Sequence, residues 1–225
     1  MIRQPIPLSL KIGIGVMSIV TLLLTYEFLA YRATRVNEKQ TVVPSIVNWG
    51  AGWEKMTKAD ERGERWLWED AKATYGRLLM GLAVGVLLGV VIGVAMGAYT
   101  WVEAYFTPPV SFMAKIPPTA MLAVYFVVFG TNTEFYVAMV GLSVFFTLAQ
   151  SIYQSAKKDV SEHSVYKAYS LGASSAEVIY EVLCKQIVPR VIEAIRLQIG
   201  PAMVILIAAE YAVGDTGIGY RIRQQ

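Results

Sequence analysis

The sequence predicts an all-α integral membrane protein with about five transmembrane helices, and three observations predict it. Of its 225 residues 55 % are hydrophobic and only 16 % charged, with a mean hydropathy of +0.47, outside the range of ordinary soluble domains. Apolar windows of roughly 20 residues, long enough to cross a ~30 Å hydrocarbon core, recur along the chain. Between two of them sits a polar segment with helical periodicity, SAKKDVSEHSVYKAYSLGASSAEVIYEVLCKQIVPR, from Ser155 to Arg190. Ordinary helix-to-helix turns take only about two to eight residues, so this is a structured module at the membrane surface, of the kind that docks a partner.

The whole chain, residues 1–225, reads as a single transmembrane domain. Residues 8–31 form the first span. Its apolar core, Ile12 to Ala30, is longer than a secretory h-region and no small-x-small cleavage site follows, so the helix is retained rather than removed. Residues 32–77 are mixed in charge and carry ERWLWEDAKATYGR. Its Trp66, Trp68 and Tyr75 suit either an interfacial helix at headgroup level or a small cap packed on the spans, and Trp49 and Trp53 fit the same layer.

Residues 78–154 hold spans two to four. In the second, Leu78 to Val102, Gly81, Gly85, Gly89, Gly93 and Gly97 recur at every fourth residue. On a helix they stack into one bare ridge that a second helix can approach closely. A phosphate-binding glycine loop would need a preceding strand, which the pattern lacks. The pairs Pro108-Pro109 and Pro117-Pro118 then predict a broken connection, because proline removes backbone donors and disfavours helix before it. A third span from about Thr119 to Gly130, a polar corner and a fourth span from Phe135 to about Gln154 follow. After the polar module, residues 191–213 form the fifth span, which Gly200-Pro201 should kink. Glu193, Arg196 and Glu210 would be expensive against lipid, so this helix faces protein or water and is the leading candidate to line a pore. Residues 214–225 are a glycine-rich loop.

Several function classes are excluded. A net charge of +3 gives no argument for nucleic acid. One cysteine, Cys184, permits no internal disulfide, and the single histidine, His163, supports neither a metal site nor histidine-based catalysis. No catalytic constellation marks an enzyme and no cofactor is expected. Absence of G-x-x-x-x-G-K-[ST] leaves the chain without an ATP site of its own.

Tyr166-Lys167-Ala168-Tyr169-Ser170-Leu171-Gly172, with Val182 ten residues beyond the glycine and Pro189 after it, resembles the cytoplasmic loop E-A-A-x-x-x-G…I-x-L-P of permease subunits of type I ABC importers. Tyr166 and Lys167 replace Glu-Ala, and Cys184-Lys185 replaces Leu-Pro. Ala208-Ala209-Glu210 followed by Thr216-Gly217-Ile218-Gly219-Tyr220 is similar to the end of the fifth span in the branch that handles nitrate, sulfonates and taurine. The glycine ridge, Ile116-Pro117-Pro118 and Phe129-Gly130 fall in the same order, so the likeness runs from about Val42 to Tyr220.

The resemblance implies the type I importer permease fold, with residues 155–190 as a cytoplasmic coupling loop and a location in the bacterial inner membrane. It implies a separate ATP-binding ATPase subunit contacted by Tyr166, Ala168, Gly172 and Ala173. It further implies an extracytoplasmic substrate-binding protein, a second permease copy, and a translocation path and gate at Pro201, Glu210 and Asp215. A sixth span is expected after Tyr220, which points to a shortened chain. Two other readings remain open: a gradient-driven carrier, disfavoured by the absence of charge in spans two to four, and a non-transporting membrane scaffold. Basic residues in the polar module favour a cytoplasmic loop, although residues 32–77 are equally basic.

Overall fold

The computed structural model describes residues 6–36, 43–57 and 66–224, and among them every regular element is helical. They divide into two units, one ending at Leu67 and one running from Trp68 to Gln224.

In the first unit, α1 (Leu8–Val36) is about 43 Å long by helical rise, and nearly all of its apolar side chains are exposed, as a lipid-facing helix requires. A short helix, α2 (Ile46–Thr57), is tied to it. The Tyr26 hydroxyl donates to the Pro44 carbonyl at 2.6 Å. Glu27 accepts from the Ile46 N–H at 3.0 Å, satisfying one of the donors that a helix start leaves unpaired. Trp49 packs on the Tyr26 ring, with centroids 5.4 Å apart, while Trp53 lies exposed on the same helix.

The second unit is built on α3 (Trp66–Ala98) and α6 (Thr133–Asp159). Residues 66–77, set apart in the sequence reading, are the first three turns of α3. At 33 residues this helix exceeds the ~20 needed to span, which leaves its polar start outside the hydrocarbon. A Cβ placed on Gly81 would meet Val140 at 2.7 Å, one on Gly85 would meet the Gly141 carbonyl at 2.6 Å and Val144 at 2.8 Å, and one on Gly89 would meet Leu148 at 3.1 Å. Gly93 faces Ile152 and Gly97 faces Ala156 in the same way. Every pair keeps one sequence offset, so α3 and α6 run parallel, glycine against side chain, over five consecutive turns. α6 also buries Phe135 and Met139 in one core with Ala202, Leu206 and Ala209 of the long helix α9 (Lys185–Val213).

Between them α4 (Thr100–Met113), a 3₁₀ turn (Pro118–Met121) and α5 (Leu122–Phe129) form a pair bent by 86°. The predicted break at Pro108-Pro109 is not there: both prolines lie inside α4. Their fixed φ is itself helical, and they deprive only the Ala104 and Tyr105 carbonyls of donors. Val102 and Val110, one on each side of them, pack on Met96 and Ala149 and hold both halves in line. The chain breaks instead just before Pro118, where Pro117 is extended at φ −60°, ψ 123°. Among the described residues four helices are long and apolar enough to span, or five if the bent pair counts as one crossing.

The polar module folds as α7 (Glu162–Ser170), α8 (Ser175–Glu177) and a π-helical segment (Val178–Cys184). It runs without interruption into α9, so Ser175–Val213 is one helical stretch of 39 residues. Pro189 and Pro201 both lie within α9, which starts six residues earlier than the sequence reading placed the fifth span. A final short helix, α10 (Ile218–Gln224), packs back on α9.

Candidate functional site

Asp70, Thr74 and Arg77 occupy the same helical stripe as the glycine ridge, continuing it toward the start of α3 at spacings of four, three and four residues. There, polar side chains replace glycine and meet the end of α9. Glu210 is 0 % exposed, Thr74 0 %, Asp70 4 % and Arg77 9 %, burial that charged groups tolerate only when paired. The Arg77 guanidinium donates to Glu210 Oε1 at 2.9 Å, to the Thr216 carbonyl at 2.8 Å and to the Thr216 hydroxyl at 3.1 Å. It also lies 4.1 Å from the centre of the Tyr136 ring, a cation–π contact. The Thr74 hydroxyl donates to Glu210 at 2.8 Å and accepts from the Ile218 N–H at 2.9 Å.

Backbone completes the cluster. Gly217 N–H donates to Asp70 Oδ1 at 2.9 Å and Gly219 N–H to Glu210 Oε2 at 3.1 Å, while Arg221 binds Asp70 Oδ2 at 2.6 Å. Glycine is required at Gly217: its φ is +114° and a Cβ there would lie 2.5 Å from the Glu210 carboxyl. Arg223 closes the edge by donating to the Tyr211, Ala212 and Gly214 carbonyls. Two buried acids, each gripped by an arginine and by backbone amides, make a latch that fastens the loop after α9 to the start of α3. With both carboxylates held by several donors, the arrangement holds helices together.

The opposite end of the unit is marked by the Gly97–Ala156 contact, twenty residues along α3 from Arg77, or about 30 Å. Here α7 ends in a left-handed turn. Gly172 has φ +87°; its N–H donates to Tyr169 at 3.0 Å, and the next N–H, of Ala173, reaches back to Ala168 at 3.1 Å. That pair of bonds is the Schellman termination, which favours glycine at its left-handed residue. Ser161 caps α7 by accepting from the His163 N–H at 3.2 Å. Ser174 and Glu177 form a reciprocal capping box at α8, and the Ser174 N–H and hydroxyl hold the Glu177 carboxyl below its usual range. The turn is therefore rigid, yet Tyr166, Tyr169, Leu171 and Tyr180 around it are exposed.

Of the residues singled out in the sequence, Glu210 sits at the centre of the latch. Asp215 lies at its exposed rim, 3.8 Å from Arg77. Pro201 is on the exposed side of α9, nine residues from Glu210 and not in the cluster. Tyr166, Ala168, Gly172 and Ala173 gather at the α7 turn. Asp70, Thr74, Arg77, Thr216 and Arg221 were not anticipated. The signal for the first three was their spacing of four, three and again four residues into Gly81, which puts them on the ridge.

Residues 85–225 match the sequence profile of the family described as binding-protein-dependent transport system inner membrane component. The chain is similar to the taurine transport system permease protein of Escherichia coli K12, 28 % identical over 157 residues, 70 % of this chain and 57 % of that protein. It is 29 % identical over 155 residues to a probable ABC transporter permease protein of Brucella melitensis, covering 69 % of this chain and 63 % of the relative. A putative aliphatic sulfonates transport permease protein of Escherichia coli K12 is 27 % identical over 154 residues, 68 % of this chain and 58 % of the relative. The match thus spans about six tenths of the length of these relatives.

Proposed function

The chain belongs to the binding-protein-dependent transport system inner membrane components, multi-pass proteins of the bacterial inner membrane, and we propose that it is the permease subunit of an ATP-driven importer of a small solute. The observation that carries this reading is the family match itself, because residues 85–225 take in both the α7 turn and Glu210. In this reading the exposed turn, with Tyr166, Ala168, Gly172 and Ala173, seats in a separate ATPase subunit that supplies the hydrolysis. An extracytoplasmic binding protein delivers the solute, and a second permease copy completes the path. Pro201, Glu210 and Asp215 serve the path and its outer gate.

The helical run from Ser175 to Val213 supports a mechanism. A continuous helix that begins at the turn and reaches Glu210 links a displacement of the turn to the latch without needing a relay of side chains. Rocking of α9 then either takes α3 with it through Arg77–Glu210 or opens the latch. The glycine ridge, by joining α3 to α6 at backbone distance, makes those two helices move as one. As for the cargo, two relatives are named for taurine and for aliphatic sulfonates, which favours a small sulfur- or nitrogen-containing compound.

The test is a mild-detergent purification of the tagged chain from its native membranes, with mass spectrometry of what accompanies it. The proposal predicts a stoichiometric soluble ATPase that is lost when Ala168 and Gly172 are replaced by bulky residues. Recovery of folded chain without any ATPase would overturn it.

A further inference from the structure

Beside the glycine ridge α3 and α6 leave a groove whose two ends differ in chemistry. Met80, Val84 and Leu88, each one residue ahead of a ridge glycine, line with Phe129, Val137 and Gly141 an apolar cavity of about 480 Å³. A second cavity, of about 390 Å³, opens toward the start of α3 among Glu69, Lys72 and Arg77. Met80 and Thr133 border both, so the two form one groove, polar at the latch end and apolar beyond it.

The polar end carries charges that find no partner. Glu69 and Lys72 are exposed and three residues apart on α3, a spacing at which opposite charges can meet. Neither makes an ion pair or a side-chain hydrogen bond among the described residues. Glu134, next to Thr133 and bordering the apolar cavity, is likewise exposed and unpaired among them. Arg77 gives three hydrogen bonds to the latch, out of the five N–H donors of a guanidinium. The depth is that of lipid headgroups, because Trp68 and Tyr75 in the same turns of α3 are exposed, as the rings of an interfacial belt are. From Lys72 to Leu88 is sixteen residues, about 24 Å, close to half of a bilayer that measures about 40–45 Å with its headgroups.

We propose that this groove holds one phospholipid with a zwitterionic, primary-ammonium headgroup. Its phosphate lies on Lys72 and the spare donors of Arg77, its ammonium between Glu69 and Glu134, and an acyl chain along Met80, Val84 and Leu88. An ammonium has three N–H donors and no acceptor, which suits two carboxylates, while phosphate suits lysine and guanidinium. A wholly anionic headgroup would meet both acids, and a quaternary ammonium has no N–H to give them. A helix of a second copy laid in the groove would cover its apolar end but strand the three charges in an interface. The site is independent of what the chain transports.

For the test, the full chain, with any subunits that accompany it, is placed in nanodiscs of equal parts phosphatidylethanolamine, phosphatidylcholine and phosphatidylglycerol. Native mass spectrometry then reads which lipid stays bound as the disc is stripped away. One phosphatidylethanolamine per chain should be retained, about tenfold over either competitor, the ratio expected for one charge-assisted hydrogen bond. Lys72→Gln should lower that retention about tenfold and Lys72→Arg should keep it. The double variant Glu69→Gln/Glu134→Gln should hand the advantage to phosphatidylglycerol. All three side chains are exposed and bond to nothing else described, so these variants keep the fold. A phosphatidylethanolamine with a diazirine in its acyl chain should label residues 80–88 of α3. Retention without headgroup preference, retention unchanged in the variants, or label confined to other helices would overturn the proposal. So would a Val84→Cys thiol, in a Cys184→Ser background, that disulfide-links two copies of the chain, since protein would then fill the groove.

Discussion

A methyl group added to Gly85 should damage this protein, while the same methyl on Gly76, nine residues earlier on the same helix, should help it. At Gly85 the new Cβ would stand 2.6 Å from the Gly141 carbonyl and 2.8 Å from the Val144 Cβ. Neither neighbour is a flexible tip: one is backbone and the other the root of a β-branched side chain. α6 must therefore retreat by several tenths of an ångström, which loosens the neighbouring contacts of the ridge as well. Overpacking of this kind costs about 1–3 kcal/mol. In a bilayer it is not offset by any hydrophobic gain, because helix association there depends on close packing.

At Gly76 a Cβ meets nothing within 4 Å, and replacing a helix-interior glycine by alanine contributes about 0.5–1 kcal/mol. At roughly 2–4 °C per kcal/mol for a chain of this size, Gly85→Ala should unfold several degrees below the parent and Gly76→Ala slightly above it. Gly89→Ala should fall between, since its nearest neighbour, the Leu148 side chain, stands at 3.1 Å rather than the 2.6 and 2.8 Å met at Gly85; Gly89→Leu exceeds that room and should disrupt the pair. The half-buried Cys184, the sole cysteine, reports unfolding in detergent through a thiol-reactive dye. A Gly85→Ala protein as stable as Gly76→Ala would refute the reasoning.

The latch makes a second prediction: Arg77→Met, which strands a fully buried Glu210, should destabilise by about 3–5 kcal/mol. The double variant Arg77→Met/Glu210→Met should recover part of that loss in the same dye assay. At the turn, Gly172→Val forces a β-branched residue to φ +87°, costing about 1–3 kcal/mol locally. Membrane insertion, read by protease protection of the extramembrane segments, should be unchanged, while ATPase recovery should drop. Ser174→Ala removes the α8 cap, worth about 1 kcal/mol, and should speed amide exchange across residues 174–178 without altering exchange in α3.

What the sequence showed and what it hid follow the range of the interactions. The glycine spacing is local and legible: five residues on one stripe announce a close helix approach without naming the partner. Gly172 was legible as the glycine in the middle of the polar module and of the loop motif it resembles, but not as the residue that ends α7. Residues 66–77 were harder, because their tryptophans and charges resemble a surface helix when read alone. Only the partner across 133 residues shows that Arg77 is buried. The Pro108-Pro109 pair misled because local backbone rules say that a helix is weakened there, whereas Val102 and Val110, packed on Met96 and Ala149, decide that it continues. No periodicity marks the π-helical turn at Val178–Cys184, which departs from the 3.6-residue pattern itself.

The most direct test of the account is photocross-linking from the turn that ends α7. Benzoylphenylalanine in place of Tyr166, an exposed ring on a rigid turn, should cross-link in native membranes to one soluble protein carrying an ATP-binding motif. The same probe in place of Tyr211, exposed at the latch end about 30 Å away, should not capture that protein. A Tyr166 probe that captures only lipid, or a Tyr211 probe that captures the same ATPase, would contradict the account.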